Sequence, residues 1–176
     1  MPRVLELHRS IMDVASQEQA KKLVMTWVSP AQAEELSKPK ETTRFCSLIA
    51  EFVVGFMTRR RVSYMDVVGR KKELTSNKQT GDSVKAAIQA ANDKVIYCAY
   101  GGHEFTIVNE SGHYALFQAW AGEFDLFPKL NGNDADHNVI GQGDATLRLI
   151  MEQLARIKEK CPGSVDMDMK AVGIEA

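Results

Sequence analysis

Residues 94–120 read KVIYCAYGGHEFTIVNESGHYALFQAW and decide the fold class of this chain. Residues 94–100 and 103–108 are rich in β-branched and aromatic side chains, which favour strands. Gly101-Gly102 lies between them and suits a two-residue turn, because glycine adopts the left-handed backbone that such turns need. The pattern predicts an antiparallel hairpin.

Turn residues continue this pattern on the carboxyl side. Asn109–Gly112 forms the next turn cluster, and residues 113–120 form another strand. We expect a short strand at residues 123–127, ended by Pro128, and then a polar, glycine-rich loop at residues 130–143. Consecutive strands with short connections predict an antiparallel meander.

An apolar stripe precedes the meander. Beyond Thr43, apolar side chains recur at three- and four-residue spacing, which is typical of a helix with one buried face. The stripe consists of Phe45, Leu48, Ile49, Phe52, Val53, Phe56 and Met57. It predicts a core helix with Thr43 as its N-cap.

Further helices are predicted on both sides of this core. Residues 1–42 have helical spacing, and either Asp82 or Ser83 can cap a later helix. Asp144 is expected to cap a closing helix over residues 144–160, followed by a loosely ordered tail. Helices, a meander and a closing helix together predict an α+β fold.

Length and composition agree with one globular domain. The chain has 176 residues, 44% of them apolar, with the predicted core at residues 43–127. Its formal net charge of −1 argues against a nucleic-acid partner. We expect neither a secretory signal peptide nor a transmembrane segment, because charged residues interrupt the apolar runs.

The cysteines number three, Cys46, Cys98 and Cys161. Their odd number and wide spacing predict neither a disulfide framework nor a zinc motif. Cys98 alternates within a strand and is predicted to lie in the core, while Cys161 follows a helix end and is predicted to have no role. Both are predicted to be structural or incidental.

Cys46 differs because it lies in the first turn of the predicted core helix. It is at position N3 if Thr43 is the N-cap, where free backbone N–H groups and the helix dipole favour a thiolate. At 100° per residue it lies about 80° from the centre of the apolar stripe, so it can face a cleft. The alternative is a small buried hydrophobic residue.

His103 is the candidate base for this thiol. If Asn109–Gly112 is a four-residue loop, Val108 pairs with His113, and Gln118 then lies directly across from His103. The glutamine could accept a hydrogen bond from one ring nitrogen and leave the other to face a thiol. A slip of one residue would move Gln118 to the other face of the sheet.

Trp120 shares the predicted face of Gln118 and could shield that hydrogen bond from water. Asp125 is an alternative third member, if the chain after Trp120 folds back beside His103. The other alternative is a surface histidine next to a surface glutamine.

Two polar segments suggest other ligands. Asp134, Asp136, His137 and Asp144 cluster around a glycine-rich loop, but their spacing matches no calcium loop, so we expect no metal and no cofactor. The basic segment Arg59–Lys72 is either a solvated face or a patch for an acidic partner or an anionic lipid.

Cys46, His103, Gln118 and Trp120, in this order and on these elements, resemble the site of papain-like cysteine peptidases, in which asparagine is the usual third residue. A Cys-His-Gln order is similar to bacterial effector deamidases of the cycle-inhibiting type. The resemblance covers about residues 43–127. Lys40 stands where papain-type peptidases have the glutamine of the oxyanion hole, so this hole must come from elsewhere, such as the Cys46 N–H.

The resemblance implies a papain-like fold and a thiol hydrolase that acts on an amide of a protein or peptide. Deamidation, peptide cleavage and transfer to an amine share the same chemical steps. It also implies a secreted bacterial effector or toxin, cytoplasmic in its producer and delivered without a signal peptide. The alternative class is a non-catalytic binding module, such as an adaptor or a toxin-neutralising protein.

Overall fold

An antiparallel sheet forms the central layer of the protein. The computed structural model describes residues 1–36, 45–61, 81–120, 125–130, 138–161 and 167–174. Its strands are β1 (Lys94–Tyr100), β2 (His103–Glu110), β3 (His113–Phe117), β4 (Val139–Gln142) and β5 (Asp168–Gly173). They lie in the order β4-β3-β2-β1-β5, and each neighbouring pair is antiparallel.

The first predicted hairpin is confirmed. Tyr100 pairs with His103. Gly101 and Gly102 between them have φ angles of +59° and +85°. Two successive positive φ angles match the right-handed twist of the strands on either side.

The second turn is shorter than predicted. Glu110 pairs with His113, so Ser111 and Gly112 alone form the turn. Val108 therefore pairs with Ala115 and not with His113. The predicted register is wrong by two residues, because Asn109 and Glu110 continue the strand.

Two strands lie where none was predicted. β4 belongs to the stretch predicted as a loop, and β5 belongs to the tail predicted to be loosely ordered. β5 pairs along its length with β1, and these contacts with a buried strand order the tail. The strand expected at 123–127 is wrong for its described part, because Asp125 and Leu126 form a turn. Residues 121–124 lie outside the described residues.

Four helices cover one face of the sheet. They are α1 (Arg3–Asp13), α2 (Gln17–Trp27), α3 (Pro30–Leu36) and α4 (Phe45–Thr58). The apolar stripe of α4 is confirmed for its described side chains, from Leu48 to Met57, and Phe52, Val53 and Met57 are fully buried. On the sheet, α4 packs mainly against β2. The helical prediction for the N-terminal part is confirmed as far as Leu36, and residues 37–44 lie outside the described part of the chain.

Two further helices, α5 (Gly81–Ala90) and α6 (Gly143–Lys160), pack on the opposite face. The prediction that Asp144 caps the closing helix is wrong. Gln142 occupies the N-cap position, and Asp144 lies inside the first turn. Asp82 and Ser83 likewise lie within α5, which begins at Gly81.

The predicted α+β class is confirmed. The described residues contain six helices and a five-stranded antiparallel sheet. The two faces of the sheet bury separate apolar cores. Within the described ranges, no helix combines the length and the apolar character needed to cross a membrane.

We expect Gly55→Ala to lower the free energy of unfolding by about 1–3 kcal/mol. A Cβ at Gly55 would overlap the backbone carbonyl of Trp27, the last residue of α2, and backbone cannot move aside cheaply. Urea denaturation followed by circular dichroism measures the change. Gly81→Ala is the matched control, because open space surrounds that position. Equal stability of the two variants would contradict close α2–α4 packing at Gly55.

Candidate active site

Cys46 lies at the amino end of α4. The helix begins at Phe45, so Cys46 is its second residue, while the predicted cap Thr43 lies outside the described residues. The side chain is partly exposed, and its Sγ donates a hydrogen bond to the Gly102 carbonyl oxygen at 3.9 Å. The thiol therefore sits against the β1–β2 turn, at the residue directly before His103.

His103 is buried at the first position of β2, with 5% of its surface exposed. Its Nε2 lies 3.0 Å from Oε1 of Gln118. The Gln118 amide nitrogen donates in turn to Oε1 of Gln153 on α6, at 3.4 Å. Since Oε1 of Gln118 can only accept, this hydrogen bond requires the tautomer in which Nε2 carries the ring proton.

Gln118 reaches His103 although the predicted register was wrong. Thr106 pairs with Phe117, so the same register places Trp120 opposite His103, and Gln118 opposite Phe105. A shift of two residues keeps every side chain on its face of the sheet. Gln118 is thus a diagonal neighbour of His103, still within reach of a long side chain.

Trp120 takes the position directly over the imidazole. The two rings stack with centroids 3.5 Å apart and an interplanar angle of 7°. Phe105 stacks at 5.6 Å, and Lys160 Nζ lies 4.7 Å from the centroid of Trp120. These contacts fix the plane of the His103 ring.

Asp125 holds Trp120 in this position. Its Oδ2 accepts a hydrogen bond from the Trp120 backbone N–H at 2.7 Å. Asp125 thus folds back onto the backbone of Trp120, whereas the alternative placed it beside His103. The oxygen that accepts from Nε2 of His103 is Oε1 of Gln118.

Cys46 and His103 approach the turn from opposite sides. α4 covers one face of the sheet, whereas His103 stacks with Phe105, which belongs to the core under α6. The Cys46 thiol reaches the carbonyl of Gly102, the residue before His103, because the sheet ends at the Gly101-Gly102 turn. The candidate residues therefore lie around this end of the sheet.

Cys161 is the residue that sequence reasoning missed. It directly follows α6 and is buried. Burial and its electrostatic interaction with the Cys46 side chain raise the pKa of the Cys161 thiol, while Lys160 lowers it. Cys161 therefore borders the site. Cys98, as predicted, is fully buried, and burial raises the pKa of its thiol.

The other predicted ligand sites fall largely outside the described chain. This holds for Asp134, Asp136, His137, Lys40 and residues 62–72. Among the described residues no cluster of metal-ligating side chains is present. In the basic segment, Arg59 pairs with Glu6 at 3.3 Å, and Arg61 donates to the Val28 carbonyl at 2.8 Å. These two arginines are thus used within the fold.

No family model matches this chain, and comparisons with curated proteins and with solved structures also give no match. A functional assignment therefore depends on the geometry of Cys46, His103 and Gln118.

The stacking of Trp120 on His103 can be tested by fluorescence. In a Trp27→Phe variant, Trp120 is the remaining indole. We expect its emission to fall on acidification, because a stacked imidazolium quenches an excited indole by accepting an electron. A pH titration of the emission measures this change. Adding His103→Asn should remove it, and an unchanged titration in that double variant would contradict the stacking.

Proposed function

We propose that the protein is a papain-like thiol hydrolase that acts on an amide bond. Cys46 is the nucleophile, His103 is the base, and Gln118 orients His103. The observation that supports this most is the 3.0 Å hydrogen bond between Nε2 of His103 and Oε1 of Gln118. The Cys46 sulfur lies 3.9 Å from the carbonyl oxygen of Gly102, the residue that precedes His103.

The reaction begins with a change of partner for the thiol. The Cys46 side chain first rotates about its Cα–Cβ bond, so that its S–H leaves the Gly102 carbonyl. The sulfur then gives its proton to Nδ1 of His103. The thiolate that results lies at the amino end of α4, where the helix dipole stabilises negative charge. The imidazolium keeps its Nε2–H bond to Gln118, which offers an oxygen lone pair and so stabilises the charged ring.

The thiolate then attacks the carbonyl carbon of the amide. Collapse of the tetrahedral intermediate breaks the C–N bond, and Nδ1–H of His103 donates its proton to the leaving amine. The product is a thioester on Cys46. His103 next removes a proton from water, which attacks the thioester and releases a carboxylic acid together with the free thiol.

The backbone N–H of Cys46 is the proposed donor of the oxyanion hole. As the second residue of α4 it has no acceptor within the helix. An N–H in this position points out of the helix end toward the group that the sulfur attacks. In papain-type peptidases a glutamine side chain contributes to the oxyanion hole. Lys40 stands at that position here, and the Cys46 N–H takes over its role.

The papain-like fold is part of the proposal. It is supported by a helix that carries the cysteine on its first turn and packs on an antiparallel meander, next to the strand that His103 opens. Gln118 and Trp120 follow the neighbouring strand β3, with a spacing similar to the asparagine and tryptophan of papain-type peptidases.

The proposed substrate is a protein or peptide amide of limited length. We propose side-chain deamidation or a single cleavage, because the Cys-His-Gln order is similar to that of effector deamidases of the cycle-inhibiting type. By its resemblance to compact effector deamidases, we also propose that it is a bacterial effector or toxin, made in the cytoplasm and delivered into a target cell.

The reactivity of the thiols tests the site directly. We expect iodoacetamide at mildly acidic pH to modify Cys46 before Cys98 and Cys161. Burial raises the pKa of the latter two thiols, so they hold less thiolate at a given pH. Peptide mass spectrometry identifies the modified residue, and His103→Asn should slow the reaction at Cys46. Equally slow modification of all three cysteines would favour the binding module.

Activity on candidate protein substrates tests the chemistry. Intact-mass spectrometry separates an amide-to-acid conversion from chain cleavage and from transfer to an added amine. We expect Cys46→Ala to abolish the conversion, and His103→Asn to lower kcat by roughly 10²–10⁴-fold, the usual contribution of a general base. Cys98→Ala is the control, because that thiol is buried in the core. Full activity of Cys46→Ala would overturn the assignment.

A further inference from the structure

A buried tyrosine on β1 interrupts the apolar contact between α4 and the sheet. Only 2% of Tyr97 is exposed, and it lies in the core beneath α4. Its hydroxyl donates to Oε2 of Glu104 at 2.9 Å and is also hydrogen-bonded to the side chain of Ser47. These three residues form a tyrosine bridge (Ser47, Tyr97, Glu104) from α4 to β2.

The two ends of the tyrosine bridge are neighbours of the proposed catalytic pair. Ser47 directly follows Cys46 on α4, and Glu104 directly follows His103 on β2. Successive strand residues point to opposite faces, so Glu104 faces α4 while His103 faces α6. One hydroxyl therefore connects the two backbone segments that carry the thiol and the imidazole.

The tyrosine bridge also restricts how α4 can sit on the sheet. Hydrogen bonds have directions, whereas apolar contacts allow a helix to slide, so a buried polar network favours one arrangement. Burial is the main cause that keeps the pKa of Tyr97 well above its ordinary value, so the hydroxyl keeps its proton to donate to Glu104. Glu51, one turn beyond Ser47, is buried nearby and accepts a hydrogen bond from Gln32 at 3.0 Å.

We propose that Tyr97 is a positioning residue that sets the separation of Cys46 and His103. This rests on the proposed function of these two residues. Through Ser47 it fixes the first turn of α4, and through Glu104 it fixes the start of β2. Without its hydroxyl, the helix end and the strand start are free to separate, and proton transfer from sulfur to Nδ1 slows.

The test is the pH profile of Cys46 alkylation by iodoacetamide. We expect Tyr97→Phe, which keeps the ring and removes both hydrogen bonds, to slow alkylation at mildly acidic pH by up to about 100-fold. At alkaline pH, where hydroxide can replace His103 as the base, the rate should match that of the unchanged protein. We call the part of the profile at mildly acidic pH the acidic limb. A loss of alkylation rate confined to the acidic limb indicates a positioning role, because a general loss of folding would change the rate at every pH.

Matched variants separate the hydroxyl from other effects. Tyr114→Phe removes another buried tyrosine hydroxyl of the sheet, on the face away from α4, and should leave the profile unchanged. Glu104→Gln keeps an acceptor for Tyr97 and should retain the acidic limb, whereas Glu104→Leu should lose it. If Tyr97→Phe does not fold, as judged by circular dichroism, the two Glu104 variants still decide the question.

The outcomes distinguish this inference from the proposed function. If His103→Asn removes the acidic limb but Tyr97→Phe and Glu104→Leu keep it, Tyr97 has no positioning role and the function stands. If His103→Asn leaves the profile unchanged, the proposed function fails, and the positioning role fails with it. Parallel loss in His103→Asn, Tyr97→Phe and Glu104→Leu supports both.

Discussion

The turn at Gly101-Gly102 is the constraint on which the candidate site depends. Both residues have positive φ angles, so the chain reverses within two residues and His103 becomes the first residue of β2. The same reversal leaves the Gly102 carbonyl at the end of the sheet, where the Cys46 sulfur meets it. A side chain at Gly102 would find space around it but would strain the backbone.

Sequence reasoning placed the candidate residues better than it placed the strands. Strand periodicity determined that His103, Gln118 and Trp120 share a face, and this survived a register error of two residues. The error came from Asn109, a typical turn residue, which instead lies in β2 and donates its side-chain amide to the carbonyls of Ile88 and Gln89 at the end of α5. No local pattern reveals such a tertiary contact. The sequence therefore could not show that Trp120, in place of Gln118, lies directly opposite His103.

The same limit explains the missing strands and contacts. β4 has four residues at the edge of the sheet, too few to show an alternating pattern, and β5 is ordered by its pairing with β1. Cys161 comes near Cys46 because α6 ends close to the candidate site, where Lys160 lies over Trp120. Tyr97 looked like one more apolar strand residue, and its polar role depends on Ser47, which lies 50 positions earlier in the chain. Each of these features depends on long-range packing.

The second hydrogen bond of Gln118 explains why the site requires both layers of helices. An amide can turn over and present its NH₂ group to His103 in place of its oxygen. Nε2 would then have to accept, and the ring proton would move to Nδ1. Gln153 of α6 opposes this, because its Oε1 accepts from the Gln118 nitrogen and so directs the Gln118 oxygen toward Nε2. The helix on one face of the sheet thus favours one tautomer of His103, while α4 on the other face carries the candidate thiol.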